Sequence, residues 1–478
     1  MTNLETNEFD VRARRSRGKP AKLQATRGRL SPIPVFVETL SAEERDHVRG
    51  CLRARRLNAV QRLLGQTDKL CGQDYLSALH RIMVDSPERM IDFVDLWPVG
   101  FLLERLSNSP ELAERVFCRL LADLLFAPSD GDGSPLRGCE LRIPPQEEGR
   151  LPCLTQNGYL VFGDYECDQQ QQVIRFEAHR AAFEHPSDKL RFRLPLHPDK
   201  PETGVKFVPF ETTPKWNKPI VNAASMVLIE TPAPHATKSS MHLARPHAMP
   251  LRKSLGEAHE ILQTVLPQVL AWVDVLIPAF VRVESSGEAG SRLSGSFGPS
   301  SPIYLSEVSD SFLHAEDILH ELQHERFLLY LSKEQCFGKW DGQQIFVSPY
   351  REDPRPLRGL QLGLHALIAV NEFRLRSLTA IPLTPARIAD MAVVHQKNLF
   401  AAMSVLQNET PTVAGERYLS EMVKVLSCHH AAIRALATKK MLVTAVGCVK
   451  EHIAKVAGRE PGVQNGYVEW ASLKPGDL

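Results

Sequence analysis

The sequence predicts an α+β fold that is mainly helical, with a β-rich region in its middle. Three observations predict it. Apolar residues recur at helical spacing from about residue 36 to 127 and again from Leu251 onward. Between 139 and 250 they fall into short runs separated by turn signals instead. The composition, 43% hydrophobic and 24% charged over 478 residues, is that of an ordinary globular chain with room for two or three domains.

Residues 1–34 carry Arg12, Arg14, Arg15, Arg17, Lys19, Lys22, Arg27 and Arg29 with almost no apolar partners. They read as a disordered basic tail, since a secretory signal needs an apolar core after its charges. Residues 35–127 read as a helical N-terminal region. Ser41-Ala42-Glu43-Glu44 is a capping box in which the Ser41 hydroxyl and the Glu44 carboxylate exchange hydrogen bonds with each other's amides. Further helices are expected at 75–84, 88–106 and 110–126, the last with a broad face of Leu112, Val116, Leu120, Leu121, Leu124 and Leu125. The run from Pro128 to Pro135 is a linker by composition.

Residues 139–250 form the β-rich region. Asn157-Gly158 followed by Tyr159-Leu160-Val161-Phe162 reads as a hairpin, and 173–176, 190–194 and 226–229 read as strands. Pro232, Pro234, Pro246 and Pro250 make 231–250 a long loop, in which His235, His242 and His247 read as scattered exposed histidines. Residues 251–478 read as a mainly helical domain, the one expected to be catalytic for the motif described below. A helix over 254–274 breaks near Pro267, a strand follows at 279–283, then a Gly/Ser-rich loop at 285–301 and a strand at 303–305. Helices are expected at 311–332, 357–379, 385–408, 415–437 and 439–457.

Charge and cysteine usage exclude several classes. Lys plus Arg is 57 and Asp plus Glu 56, so the net charge of +1 speaks against a nucleic-acid partner. No apolar run reaches the length of a membrane span, so no membrane partner is expected. Nine cysteines without C-x-x-C spacing fit reduced thiols and a cytoplasmic location. The run Cys428-His429-His430 has no partner ligand at finger spacing and reads as a helix-surface feature.

The chemistry-bearing segment is His320-Glu321-Leu322-Gln323-His324, an H-E-x-x-H motif. On a helix, positions i and i+4 share a face, so two imidazoles can hold one cation while Glu321 projects beside them. Ile318, Leu319, Leu322, Phe327 and Leu328 make the helix amphipathic or buried, and the strand at 303–305 lies where a zincin fold has its substrate-binding edge. A third ligand must come from elsewhere. His365 and Glu372 lie on one face of the next helix. His365 would give three histidines, and Glu372 the two-His-one-carboxylate set of non-haem iron. The apolar setting favours His365, giving a zincin-like metal-binding helix pair.

A second block follows the motif: Asp353-Pro354-Arg355-Pro356-Leu357-Arg358-Gly359, continuing to Gly363-Leu364-His365-Ala366. The pairing of H-E-L-Q-H with D-P-R-P-L-x-G and G-x-H-A resembles the HExxH-motif family found beside ribosomal-peptide natural-product clusters, similar to α-ketoglutarate-dependent peptide β-hydroxylases. The resemblance covers about residues 290–375. It implies Fe(II) and 2-oxoglutarate as cofactors and a precursor peptide as partner, hydroxylated at the β-carbon of a residue such as Asp. His320 and His324 match the motif histidines, and His365 the histidine of G-x-H-A. Arg355 matches the arginine of D-P-R-P. A bidentate guanidinium is the natural partner of the cosubstrate's distal carboxylate. Arg355 could equally cap the helix start or pair with Asp353.

Motif chemistry alone favours a different enzyme, a zinc metallopeptidase with Glu321 as general base for water. In the hydroxylase no water needs activating, and Glu321 orients a ligand or the substrate. A catalytically silent peptide-binding scaffold is the third reading. The resemblance places the hydroxylase first.

Overall fold

The computed structural model describes residues 39–64, 205–222, 249–283, 294–296, 301–307, 310–333, 336–337 and 344–459, together with six strands between 140 and 195. The basic tail, the helices expected at 75–84, 88–106 and 110–126, the linker, the strand at 226–229 and His235, His242 and His247 lie outside the described residues.

Helix α1 spans Ala42–Leu64. The capping box forms as expected: the Ser41 amide donates to Glu44 Oε2 at 2.8 Å and the Glu44 amide to Ser41 Oγ at 3.2 Å. In the middle region, β1 (Glu140–Ile143), β4 (Gln172–Glu177), β5 (Arg180–Glu184) and β6 (Arg191–Pro195) form one antiparallel sheet in the order β1-β4-β5-β6. A second sheet holds β2 (Arg150–Cys153), β3 (Gly158–Phe162) and β7 (Val205–Pro209), again antiparallel. The Asn157-Gly158 turn signal sits at the β2–β3 connection, where Cys153 faces Gly158. The β-rich reading of the middle therefore holds for the described strands.

The third sheet is mixed and supports the site. Its order is β11-β12-β10-β9-β8, with β8 at Glu211–Thr212, β9 at Pro219–Asn222, β10 at Phe280–Val283, β11 at Ser294–Gly295 and β12 at Ile303–Ser306. Strand β10 runs parallel to β9 and β12, while β8 and β11 pair antiparallel at the two ends. All four residues of β10 and of β12 are buried, as strands covered on both faces must be. Two expectations are corrected here. The strand at 303–305 is not the edge, because β11 pairs along its outer side. The Gly/Ser-rich stretch at 285–301 is not all loop, because it contains β11.

Helices α2 (Met249–Val265) and α3 (Gln268–Leu276) break at Pro267, as expected. Helix α2 starts inside the stretch read as loop. Pro250 falls in its first turn, where the missing N–H costs nothing. Then come α4 (Ser311–Lys333), β13 (Ile345–Phe346), β14 (Arg355–Pro356), α5 (Leu357–Ser377), α6 (Pro385–Asn408), α7 (Val413–Leu436) and α8 (Lys439–Arg459). The starts are set by local chemistry. Thr384 Oγ1 accepts from the Arg387 amide with Pro385 in the first turn, and Thr412 Oγ1 accepts from the Gly415 amide at 3.3 Å.

One hydrophobic core joins α1 to α7 and the mixed sheet, through Val48, Leu255, Trp272, Phe280, Leu319, Phe327, Leu364 and Tyr418 among others. At its centre, α4 is buried all round. Besides Ile318, Leu319 and Leu322 it buries His314, Glu316, Asp317, Glu321, Gln323, Glu325 and Arg326. Buried polar groups on this scale require partners. Arg374 of α5 supplies one, donating to Glu316 from Nε at 2.6 Å and from a terminal nitrogen at 3.0 Å, and reaching Asp390 of α6 at 2.7 Å. His314 takes another pair, meeting Ser254 Oγ at 2.7 Å and the Ser306 carbonyl at 3.0 Å. These bonds register α4 against α2, α5 and β12. Among the described residues, no helix is long and apolar enough to cross a membrane.

Candidate metal centre

His320 and His324 sit one turn apart on α4 with Nε2 facing Nε2 at 3.0 Å and the rings edge to face, centroids 4.5 Å apart. Two nitrogens bound at about 2.0–2.1 Å to one cation lie roughly 3.0–3.4 Å apart, so this pair is already at ligating separation. Both residues are half-buried. Burial pushes His324 down to about 4, so it is a neutral imidazole at neutral pH, the form that can ligate a cation.

Glu321, 3% exposed, accepts from Ser294 Oγ at 3.0 Å. Ser294 belongs to β11, so the edge of the mixed sheet holds the motif carboxylate. Burial raises this carboxyl to about 7, and hydrogen bonds from Ser294 and Ser296 oppose the rise. A group poised there can give or take a proton near neutrality.

His365 is fully buried on α5. Its Nδ1 meets the Tyr418 hydroxyl at 3.3 Å, and Phe327, one turn beyond His324 on α4, packs against its ring with centroids 5.0 Å apart. Nε2 of His365 has no hydrogen-bond partner, nor has Nδ1 of His324. Burial, followed by the charges of Arg326 and His324, holds His365 well below the usual imidazole range. Even so, among the described residues no three His, Cys, Asp or Glu side chains are gathered closely enough to hold a metal ion. The structure pairs His320 with His324 and leaves His365 on the neighbouring helix.

Glu372, the alternative third ligand, is engaged elsewhere. Its Oε2 meets His429 Nε2 at 2.8 Å and its Oε1 accepts from Arg376 at 2.5 Å. This contact also corrects the reading of Cys428-His429-His430 as a surface run, because His429 is only 2% exposed. Arg355 pairs with Asp353 at 2.7 Å, the structural alternative that its sequence context left open. Its Nε has no partner, so one donor of the guanidinium stays uncommitted.

Behind these residues lies a tight contact. A Cβ on Gly363 would come within 2.7 Å of the Tyr350 ring, and Tyr350 donates its hydroxyl proton to Asn398 of α6 at 3.0 Å. Sequence reasoning missed Tyr418 and Arg326, and it took Ser294-Gly295-Ser296 as a loop that fits the resemblance without foreseeing that Ser294 and Ser296 hold Glu321. Arg326 is fully buried, donates to Gln323 at 2.5 Å and stacks over Trp272 at 4.6 Å. Neither Tyr418 nor Arg326 carries a signal in the sequence. No protein-family model matches the chain, and no curated protein matches it.

Proposed function

We propose that the chain is an Fe(II)/2-oxoglutarate-dependent hydroxylase acting on the β-carbon of a residue, such as Asp, in a ribosomally made precursor peptide. The observation that carries a metal-dependent reading is the facing imidazole pair at 3.0 Å on a buried helix. The motif resemblance over 290–375 selects iron and the oxoacid.

His320 and His324 hold the cation, and His365 completes a zincin-like helix pair from α5. The donor set fits. All three are imidazoles, which suit iron and zinc alike, and the buried Nε2 of His365 lacks any other partner. Bound iron supplies the oxidising power, taken from O₂ and 2-oxoglutarate. The protein's own groups do the rest. Tyr418 orients His365: when its oxygen accepts from Nδ1–H, the lone pair on Nε2 is left free. Ser294 and Ser296 steady Glu321, which orients the substrate or a ligand. Arg355 offers its uncommitted donor to the cosubstrate's carboxylate.

One observation favours a second reading, a zinc metallopeptidase. Glu321 lies next to the imidazole pair beneath an edge strand, with its carboxyl raised to about 7, where a general base for water is most effective.

The deciding experiment purifies the full chain without oxygen, quantifies its metal, and supplies iron(II), 2-oxoglutarate and an Asp-containing peptide. Succinate together with a peptide gain of a single oxygen is expected. Peptide cleavage with zinc and no succinate would transfer the assignment to the peptidase. A His320→Ala protein with full activity would defeat both.

A further inference from the structure

Two neighbouring histidines of α7 are sent to different helices. His429 turns to Glu372 on α5. His430 turns to α6, where its Nδ1 lies 3.3 Å from Nε2 of His395, with the ring centroids 5.4 Å apart and the planes inclined by 38°. His395 is 1% exposed, while His430 is half-buried. The sequence offered His429 and His430 no partner at finger spacing. The fold supplies one from 35 residues upstream.

We infer that His395 and His430 form a second cation site, bridging α6 and α7 and taking a divalent transition ion of the zinc, nickel or copper class. Their nitrogens stand at the separation of two ligands on one tetrahedral centre, about 3.3 Å for bonds of about 2.0–2.1 Å. Imidazole pairs select such borderline ions over magnesium or calcium. Water, entering from the side on which His430 is exposed, fills the remaining positions. The Arg434 guanidinium, close enough to act on His430, sets a modest affinity. Such an ion clamps α6 to α7 from outside the core that holds His320 and His324. The inference does not depend on the hydroxylase reading.

The test uses zinc alone and the full chain carrying His320→Ala and His324→Ala, which removes the first pair. Zinc is expected to bind this background and to raise its melting temperature by several degrees. Adding His430→Ala, a change at a partly exposed position, should weaken binding at least about tenfold and abolish the rise. His395→Gln should do the same, and if it misfolds His430→Ala decides alone. Zinc binding that is unchanged by His430→Ala, or no zinc binding by the background, overturns the site.

Discussion

The imidazole pairs at 320/324 and 395/430 have nearly the same nitrogen separation, 3.0 and 3.3 Å, but opposite construction. The first lies within one helix, so the helical repeat fixes its spacing and neighbouring elements can do little to alter it. The second spans two helices, so its spacing depends on how α6 and α7 pack. A motif pair is as rigid as its helix, whereas a cross-helix pair is as rigid as the contacts around it. By the same logic His365, on a different helix from its proposed partners, belongs to the adjustable kind.

Arg374→Met should separate the two kinds of pair most sharply. It leaves Glu316 buried without its guanidinium, which should cost about 3–5 kcal/mol of stability by denaturant titration. Below the transition, the zinc affinity contributed by His320 and His324 should survive, while any contribution from His365 falls. Equal loss at all three histidines would mean that the single-helix pair is no more robust than the rest.

A smaller effect is expected from Glu372→Gln, which removes the anion held by His429 and Arg376 at the α5–α7 contact. About 1–2 kcal/mol should be lost. Nitrogen exchange signals of His395 and His430 should shift while those of His320 and His324 stay put. A shift at the first pair instead would show that the two regions are coupled.

The mildest change is Tyr418→Phe. It keeps the ring against Phe327 and Phe337 and removes only the oxygen facing His365. Metal affinity at the first site should fall about tenfold, with little change in melting temperature. Unaltered affinity would take His365 out of the ligand set.

Helices α2, α3, α6 and α7 could be read from the sequence because ends of theirs are locally determined, by the break at Pro267, by Thr384 with Pro385, and by Thr412. The 320/324 pair was legible for the same reason, since its geometry follows from spacing alone. Strand β11 was not. Two residues, Ser294 and Gly295, carry no alternation and become a strand only by pairing with β12. The burial of His429 and the meeting of His395 with His430 were hidden too, because each depends on helices far apart in the chain. Nothing in the sequence singles out Arg374. Only the burial of Glu316 on another helix shows why it lies inside.

Gly363 carries a last consequence. The Tyr350 ring occupies the volume where any other residue would place its first side-chain carbon. A lone hydrogen atom thus sets the clearance between α5 and the segment that runs from Tyr350 to Arg355. Fill that clearance with a methyl group and the tyrosine ring must shift, straining the bond its hydroxyl gives to Asn398. The glycine of the G-x-H-A block works as a gauge, and what it measures is how near the proposed cosubstrate clamp can ride to the helix that carries His365.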